Sequence, residues 1–281
     1  KTTSENLGKQ FLSDGRVTTY LRGHTAAADE CIRQLALCEE LGNEIALVAL
    51  GGYGRKELFP YSDLDVMVLL RQSASTDEAT KIEHFLMRLW DMGLTVGSSV
   101  RTLEETLRES NQDITVQTAI LEARFICGNK HLFEELQQSF FRQIDAADFF
   151  RAKALEMRQR HQKHEDTPYS LEPNVKESPG GLRDLHVLFW CSQAAGLGAS
   201  AEEMLASGTL APREADTLKE VNHALQTIRI YLHLIAKRHE DRLIFDIQTP
   251  VAQAAGYKDT EHQLASEALM KRYYPVSYTH L

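Results

Sequence analysis

Leu50-Gly51-Gly52-Tyr53-Gly54-Arg55 is followed closely by Tyr61-Ser62-Asp63-Leu64-Asp65. Three glycines after a short apolar run let a backbone approach a ligand closely and present N–H donors. If a helix opens near Arg55, its N-terminus adds a field that favours phosphate, and the Arg55 guanidinium is a forked donor matched to phosphate oxygens. Asp63 and Asp65 bring the opposite charge. Positions two apart on a strand share a face, with Cα atoms about 6.5–7 Å apart, so the two carboxylates repel unless a cation sits between them. Mg2+ takes oxygen ligands at ~2.0–2.1 Å and keeps several waters, and an acidic pair plus the phosphates of a nucleotide would complete its shell. The competing reading is structural: a tight strand–helix turn that needs glycine, and two solvated aspartates at a strand end. A glycine cradle one short loop upstream of an acidic pair favours the chemical reading. The loop is not a Walker loop, since Lys56 precedes Glu57, nor a dinucleotide fingerprint, since Glu57 replaces the third glycine.

The elements that must position these residues follow from hydrophobic period. The first forty residues read as helix, with Cys31, Leu35 and Cys38 at helical spacing, ending near Leu41-Gly42. Ile45 to Leu50 is a short apolar run closed by glycines and suits a buried strand. A second β-rich run spans Leu64 to Leu70. A helix is predicted from about Asp77 to Met92, with Ile82, Phe85, Leu86 and Leu89 on one face. Leu94 to Arg101 alternates as a third strand, where Gly97 marks a weak point or a close approach. Thr102 to Glu105 then makes a capping box into another helix. Beyond about Cys127 helical periods take over, with Leu218, Val221, Leu225, Ile228, Leu232 and Ile235 as one apolar stripe. The prediction is an α+β fold: a small sheet domain followed by an all-helical one.

Composition narrows the partners. The 281 residues carry a net charge of −9, with 43% hydrophobic and 25% charged residues, ordinary for a globular protein with a sizeable core. An acidic whole argues against a nucleic-acid partner. Cys31, Cys38, Cys127 and Cys191 form no C-x-x-C pair and read as free thiols of a reducing compartment. The run Ile45–Leu50 is too short to span a bilayer, and Lys1–Gln10 lacks a signal-peptide core, so the expected location is cytoplasmic with no membrane partner.

The glycine pair followed by D-x-D resembles the nucleotidyltransferase superfamily of the DNA polymerase β type. The likeness extends through Val100-Arg101-Thr102-Leu103-Glu104-Glu105, the loop Glu172 to Leu185 with Ser178-Pro179-Gly180-Gly181, and Arg238 to Asp246. These stretches resemble the bifunctional uridylyltransferase/uridylyl-removing enzymes of nitrogen regulation, over about Phe11 to Tyr274. The resemblance implies a polymerase-β-like domain with a small mixed sheet, and transfer of UMP from UTP to a tyrosine of the PII signalling protein. It implies Asp63 and Asp65 as catalytic ligands of Mg2+, and Gly51, Gly52, Arg55 and Ser62 as nucleotide-binding residues. It also implies the amino-terminal portion of a longer protein: the family's HD phosphohydrolase and two small ligand-sensing domains have no counterpart here, and no His-Asp dipeptide occurs in the chain. The expected divisions are 1–44 (helical segment), 45–127 (nucleotidyltransferase), 128–274 (helical domain) and 275–281 (a tail foreign to the family).

One departure stands out. The superfamily places a third carboxylate on the next strand, where this sequence offers Thr95, Gly97 and Ser98. That leaves open a different nucleotide or acceptor, or a domain that binds without turnover. Lys176 and Arg183 flank the Pro-Gly-Gly loop as possible substrate contacts, or simply pin it against the helices. Arg229, His233 and Lys237 share one helix face and read as solvated. His161 and His164 read as surface, and Trp90 and Trp190 as core.

Overall fold

A computed structural model describes residues 2–93, 95–164, 167 and 169–278. The chain divides into two compact units: Lys1–Leu7 with Thr18–Ile144, and Gly8–Val17 with Asp145–Leu281. The predicted amino-terminal helix is two helices, α1 (Thr2–Asp14) and α2 (Val17–Cys38).

The first unit is built on four strands: β1 (Ile45–Ala49), β2 (Leu64–Leu70), β3 (Val96–Thr102) and β4 (Arg124–Gly128). A helical turn, α3 (Gly51–Gly54), follows β1, and α4 (Thr76–Asp91) links β2 to β3. Two short helices, α5 (Leu103–Ser110) and α6 (Ile114–Leu121), lead to β4, and α7 (Lys130–Gln143) closes the unit. The sheet is mixed, in the order β3-β2-β1-β4: β2 and β3 are parallel, and β1 is antiparallel to both its neighbours.

Both sheet faces are covered, which is why β1 and β2 read as continuous apolar runs. Ile45, Leu47, Ala49, Val66, Val68 and Leu70 pack with Ile32 of α2 and Ile82, Phe85 and Leu89 of α4. Ala46, Val48, Met67 and Leu69 face Leu132, Phe133 and Leu136 of α7. Thus α7, and α2 from Thr18, belong to the sheet unit, whereas the sequence boundaries put them outside it. Capping boxes start α4 at Ser75/Glu78 and α5, as predicted, at Thr102/Glu105. Trp90 is 52% exposed, not core: it lies about 100° round α4 from Leu89, off the buried stripe. The predicted third strand is seen as Val96–Thr102, and Leu94, its expected start, lies outside the described residues. The fourth strand was not read from the sequence at all.

The second unit is helical: α8 (Ala146–Lys163), α9 (Leu182–Ala194), α10 (Ala201–Ala206), α11 (Pro212–Ala236), α12 (Phe245–Ala254) and α13 (Ala265–Tyr278). Of the predicted α11 stripe, Leu218, Val221, Leu225, Ile228 and Leu232 are buried. Helix α13 continues through residues 275–278, past the expected start of the tail. The loop between α8 and α9 is pinned: Val175 N–H donates to Asp241 O (2.8 Å), Leu243 N–H to Pro173 O (2.9 Å), and Asn174 bridges Arg242.

Arg229 and His233 share a face of α11 as expected, but that face is not solvated. They are 5% and 0% exposed, and their counter-ion is Asp241, from the segment that follows the helix. Arg229 Nε and Nη2 donate to the two Asp241 oxygens at 2.7 and 3.2 Å, with His233 Nε2 2.9 Å from Oδ1. Burial by itself would raise the Asp241 carboxyl; His233 and Arg229 outweigh it and hold it well below the usual carboxylate range. A second knot forms at Asp184, where Arg160, His161 Nε2 (3.0 Å) and the Gly180 N–H (2.7 Å) meet. His161 is therefore a partner inside the fold, not a surface residue.

Candidate active site

The interior strand β1 delivers the chain from its C-terminal end into α3. Gly51 opens that turn at φ +56°, a left-handed conformation that favours glycine. The helical turn thus begins at Gly51 and ends at Arg55, its C-cap, rather than opening near Arg55 as the sequence suggested. Leu50 N–H donates to Asp65 O at 2.9 Å, tying the turn to β2.

Tyr53 anchors the turn from below. It is 1% exposed, and its hydroxyl donates to Asp29 Oδ1 at 2.6 Å. Arg124 of β4 grips the same carboxylate with two 2.9 Å bonds and lies 5.2 Å over the Tyr53 ring. Burial, and then Asp29, push the Tyr53 hydroxyl well above the usual tyrosine range, so it stays a donor. Tyr53→Phe is expected to cost about 1.5–3 kcal/mol, the scale of a hydrogen bond to a charged group. Urea denaturation checks this, and an unchanged midpoint would show that the anchor is idle.

Arg55 is not presented as an open fork. Its guanidinium is held by Glu57 (Nε to Oε2, 2.8 Å) and by Glu122, fixing the turn to the end of α6. Ser62 is half-buried, its N–H bonded to Phe59 O at 3.2 Å.

Asp65 lies on the sheet face that carries Met67 and Leu69, and Asp63 is the next position on that face, exposed, one residue before β2 begins. The half-buried Asp65 carboxylate sits between two glycines. A Cβ at Gly51 would stand 2.9 Å from its Oδ2, and one at Gly97 would overlap its Oδ1. The register pairs Asp65 with Gly97 and Val66 with Ser98, so Ser98 belongs to the opposite face. Thr95, whose carbonyl accepts the Leu64 N–H at 2.8 Å, comes alongside Asp63. Two carboxylates on one face, with a side-chain-free cradle beside one of them, form an all-oxygen donor set suited to a hard divalent cation. Among the described residues, no third His, Cys, Asp or Glu completes a ligand cluster with them.

His233, His239 and Asp241 do bring three such atoms within 4.8 Å of one another. Arg229 already donates to both Asp241 oxygens there, so this cluster is a neutralised structural knot. Lys176 and Arg183 lie in the second unit, both beside Glu177, at 3.6 and 3.2 Å. Burial first, then Arg229 and Arg183, pull the Lys176 ammonium below the usual lysine range.

The family described as "Nucleotidyltransferase domain" matches residues 32–117, which contain Gly51, Gly52, Asp63 and Asp65. The family "GlnD PII-uridylyltransferase" matches residues 148–278, which contain Lys176, Arg183 and the Asp184 and Asp241 knots. A bifunctional uridylyltransferase/uridylyl-removing enzyme of Cupriavidus metallidurans is 49% identical over 98% of this chain and 32% of its own length. Enzymes of the same name from Cupriavidus pinatubonensis (51% identical; 92% and 29% covered) and Ralstonia nicotianae (47%; 98% and 32%) are similar. The chain is a relative of the bifunctional uridylyltransferase/uridylyl-removing enzymes. It spans about a third of the length of these curated relatives and carries a nucleotidyltransferase domain with a mixed sheet. Among the described residues no helix is long and apolar enough to cross a membrane.

Proposed function

We propose that this chain transfers UMP from UTP to a tyrosine hydroxyl of the PII signalling protein and releases pyrophosphate. The observation that carries the reading is the Asp65 carboxylate set against Gly51 of the turn, with Asp63 next on the same face. The uridylyltransferase relatives and the match to the PII-uridylyltransferase family support UMP as the group transferred and PII as the acceptor protein.

In this reading Asp63 and Asp65 hold Mg2+, and the N–H groups of Gly51 and Gly52 hold the triphosphate. When bound, the cation polarises the α-phosphate and lowers the cost of using a hydroxyl that keeps its proton until pH ~10. The tyrosine oxygen bonds to the α-phosphorus, the bond to the β-phosphate's bridging oxygen breaks, and the phenolic proton is lost to solvent. Ser62 orients a phosphate oxygen or one of the acidic side chains when the nucleotide is bound. Arg55 serves by fixing the turn through Glu57 and Glu122, so its contribution to nucleotide binding is indirect.

Thr95 beside Asp63, where a third acid would stand, favours a second reading: a domain that binds nucleotide without turnover. Incubating the chain with PII protein, Mg2+ and each α-labelled nucleoside triphosphate separates the two. Label on PII from UTP is the expected result. Label from another nucleotide would correct the donor, and binding without transfer would establish the second reading.

A further inference from the structure

Asp65 is a side chain on a strand, and strand geometry alone does not select one of its rotamers. Its surroundings do. One carboxylate oxygen lies 2.9 Å from where a Gly51 Cβ would stand, and the other would overlap a Cβ at Gly97. Gly51 belongs to the turn after β1, and Gly97 to β3, on the other side of β2. The two glycines come from elements that flank β2, and a side chain on either would crowd the carboxylate. Gly97 is otherwise a poor choice for this strand: glycine weakens strands, and no backbone need excuses it, since its φ is not positive.

We propose that Gly97 is a positioning residue of the nucleotidyl-transfer site, one wall of a side-chain-free slot that fixes the Asp65 carboxylate. This rests on the reading of Asp65 as a metal-holding group and adds to it a requirement at a position outside the glycine turn and the acidic pair. Alanine at 97 would drive Oδ1 out of the slot. The other carboxylate oxygen already lies 2.9 Å from where a Gly51 Cβ would stand. The carboxylate would then rotate away from its place, although its charge and its strand are unchanged.

The test uses the whole chain with Mn2+ and UTP. Binding of the metal–nucleotide pair is followed by the Mn2+ paramagnetic resonance signal, and unfolding by thermal melting. Gly97→Ala is expected to weaken Mn2+ binding about 10- to 100-fold, the range for losing an orienting partner of a metal ligand. It should also lower the melting temperature when residue 65 is Asp but not in the Asp65→Ala background, because the overlap then disappears. A Gly97 needed only for the strand's own backbone would give the same loss in both backgrounds and would overturn the proposal. So would wild-type Mn2+ binding by Gly97→Ala. Asp65→Asn run alongside keeps the two ideas apart: if it too binds Mn2+ like wild type, the reading of Asp65 fails. If it alone loses binding, only the slot fails.

Discussion

Asp65→Asn and Asp63→Asn are each expected to keep the fold and lose about 3 kcal/mol or more of transition-state stabilisation, a 100- to 1,000-fold fall in turnover, the scale of an electrostatic catalytic group. Asparagine has the shape of aspartate, so at position 65 it still fills the slot between Gly51 and Gly97. It lacks the charge that draws a divalent cation. The measurement is UMP transfer to PII with Mg2+ saturating, alongside a melting curve for each variant. Transfer near the wild-type rate by either variant would remove that residue from the site.

The largest expected stability effect lies in the second unit. Asp241→Ala removes the carboxylate that Arg229 and His233, 5% and 0% exposed, both contact. Breaking such a buried pair costs about 3–5 kcal/mol, because the remaining charge cannot reach water. The main-chain bond from the Val175 N–H to the Asp241 carbonyl survives the substitution, so the loss reports the side-chain knot alone. The sign of the pH dependence follows from the depressed Asp241 carboxyl. Its contribution is present above the unfolded value, about pH 3.9, and is lost as pH falls through that value toward the folded one. Urea denaturation at pH 7 should show the loss, and Asp241→Asn should flatten the acid side of the stability profile. An Asp241→Ala variant within 1 kcal/mol of wild type would show that the knot does not hold the unit together.

The residues proposed to carry the chemistry were legible because their signals are local. A glycine turn after an apolar run and two acids at a strand entrance are readable within one stretch of chain, and the structure brings Gly51 and Asp65 together. Gly97 was legible only as an oddity in a strand, since what fills its missing side chain comes from β2. Partners distant in sequence left no trace in spacing. Arg55 looked like an open phosphate donor because Glu122, far along the chain, was not visible as its partner. Arg229 and His233 looked solvated because helix periodicity reports a shared face and not what packs on it. Asp29, which joins Tyr53 to Arg124, gave no signal in the sequence. Strand β4 was missed for a related reason: five residues at a sheet edge, between two helices, are too few for alternation to decide.

A crystal structure of the chain with Mg2+ and a non-hydrolysable UTP analogue tests the central claim most directly. The expected result is a cation ~2.0–2.1 Å from carboxylate oxygens of Asp63 and Asp65, with the analogue's phosphates over Gly51 and Gly52. A nucleotide seated elsewhere, or a cation that neither carboxylate touches, would contradict the account.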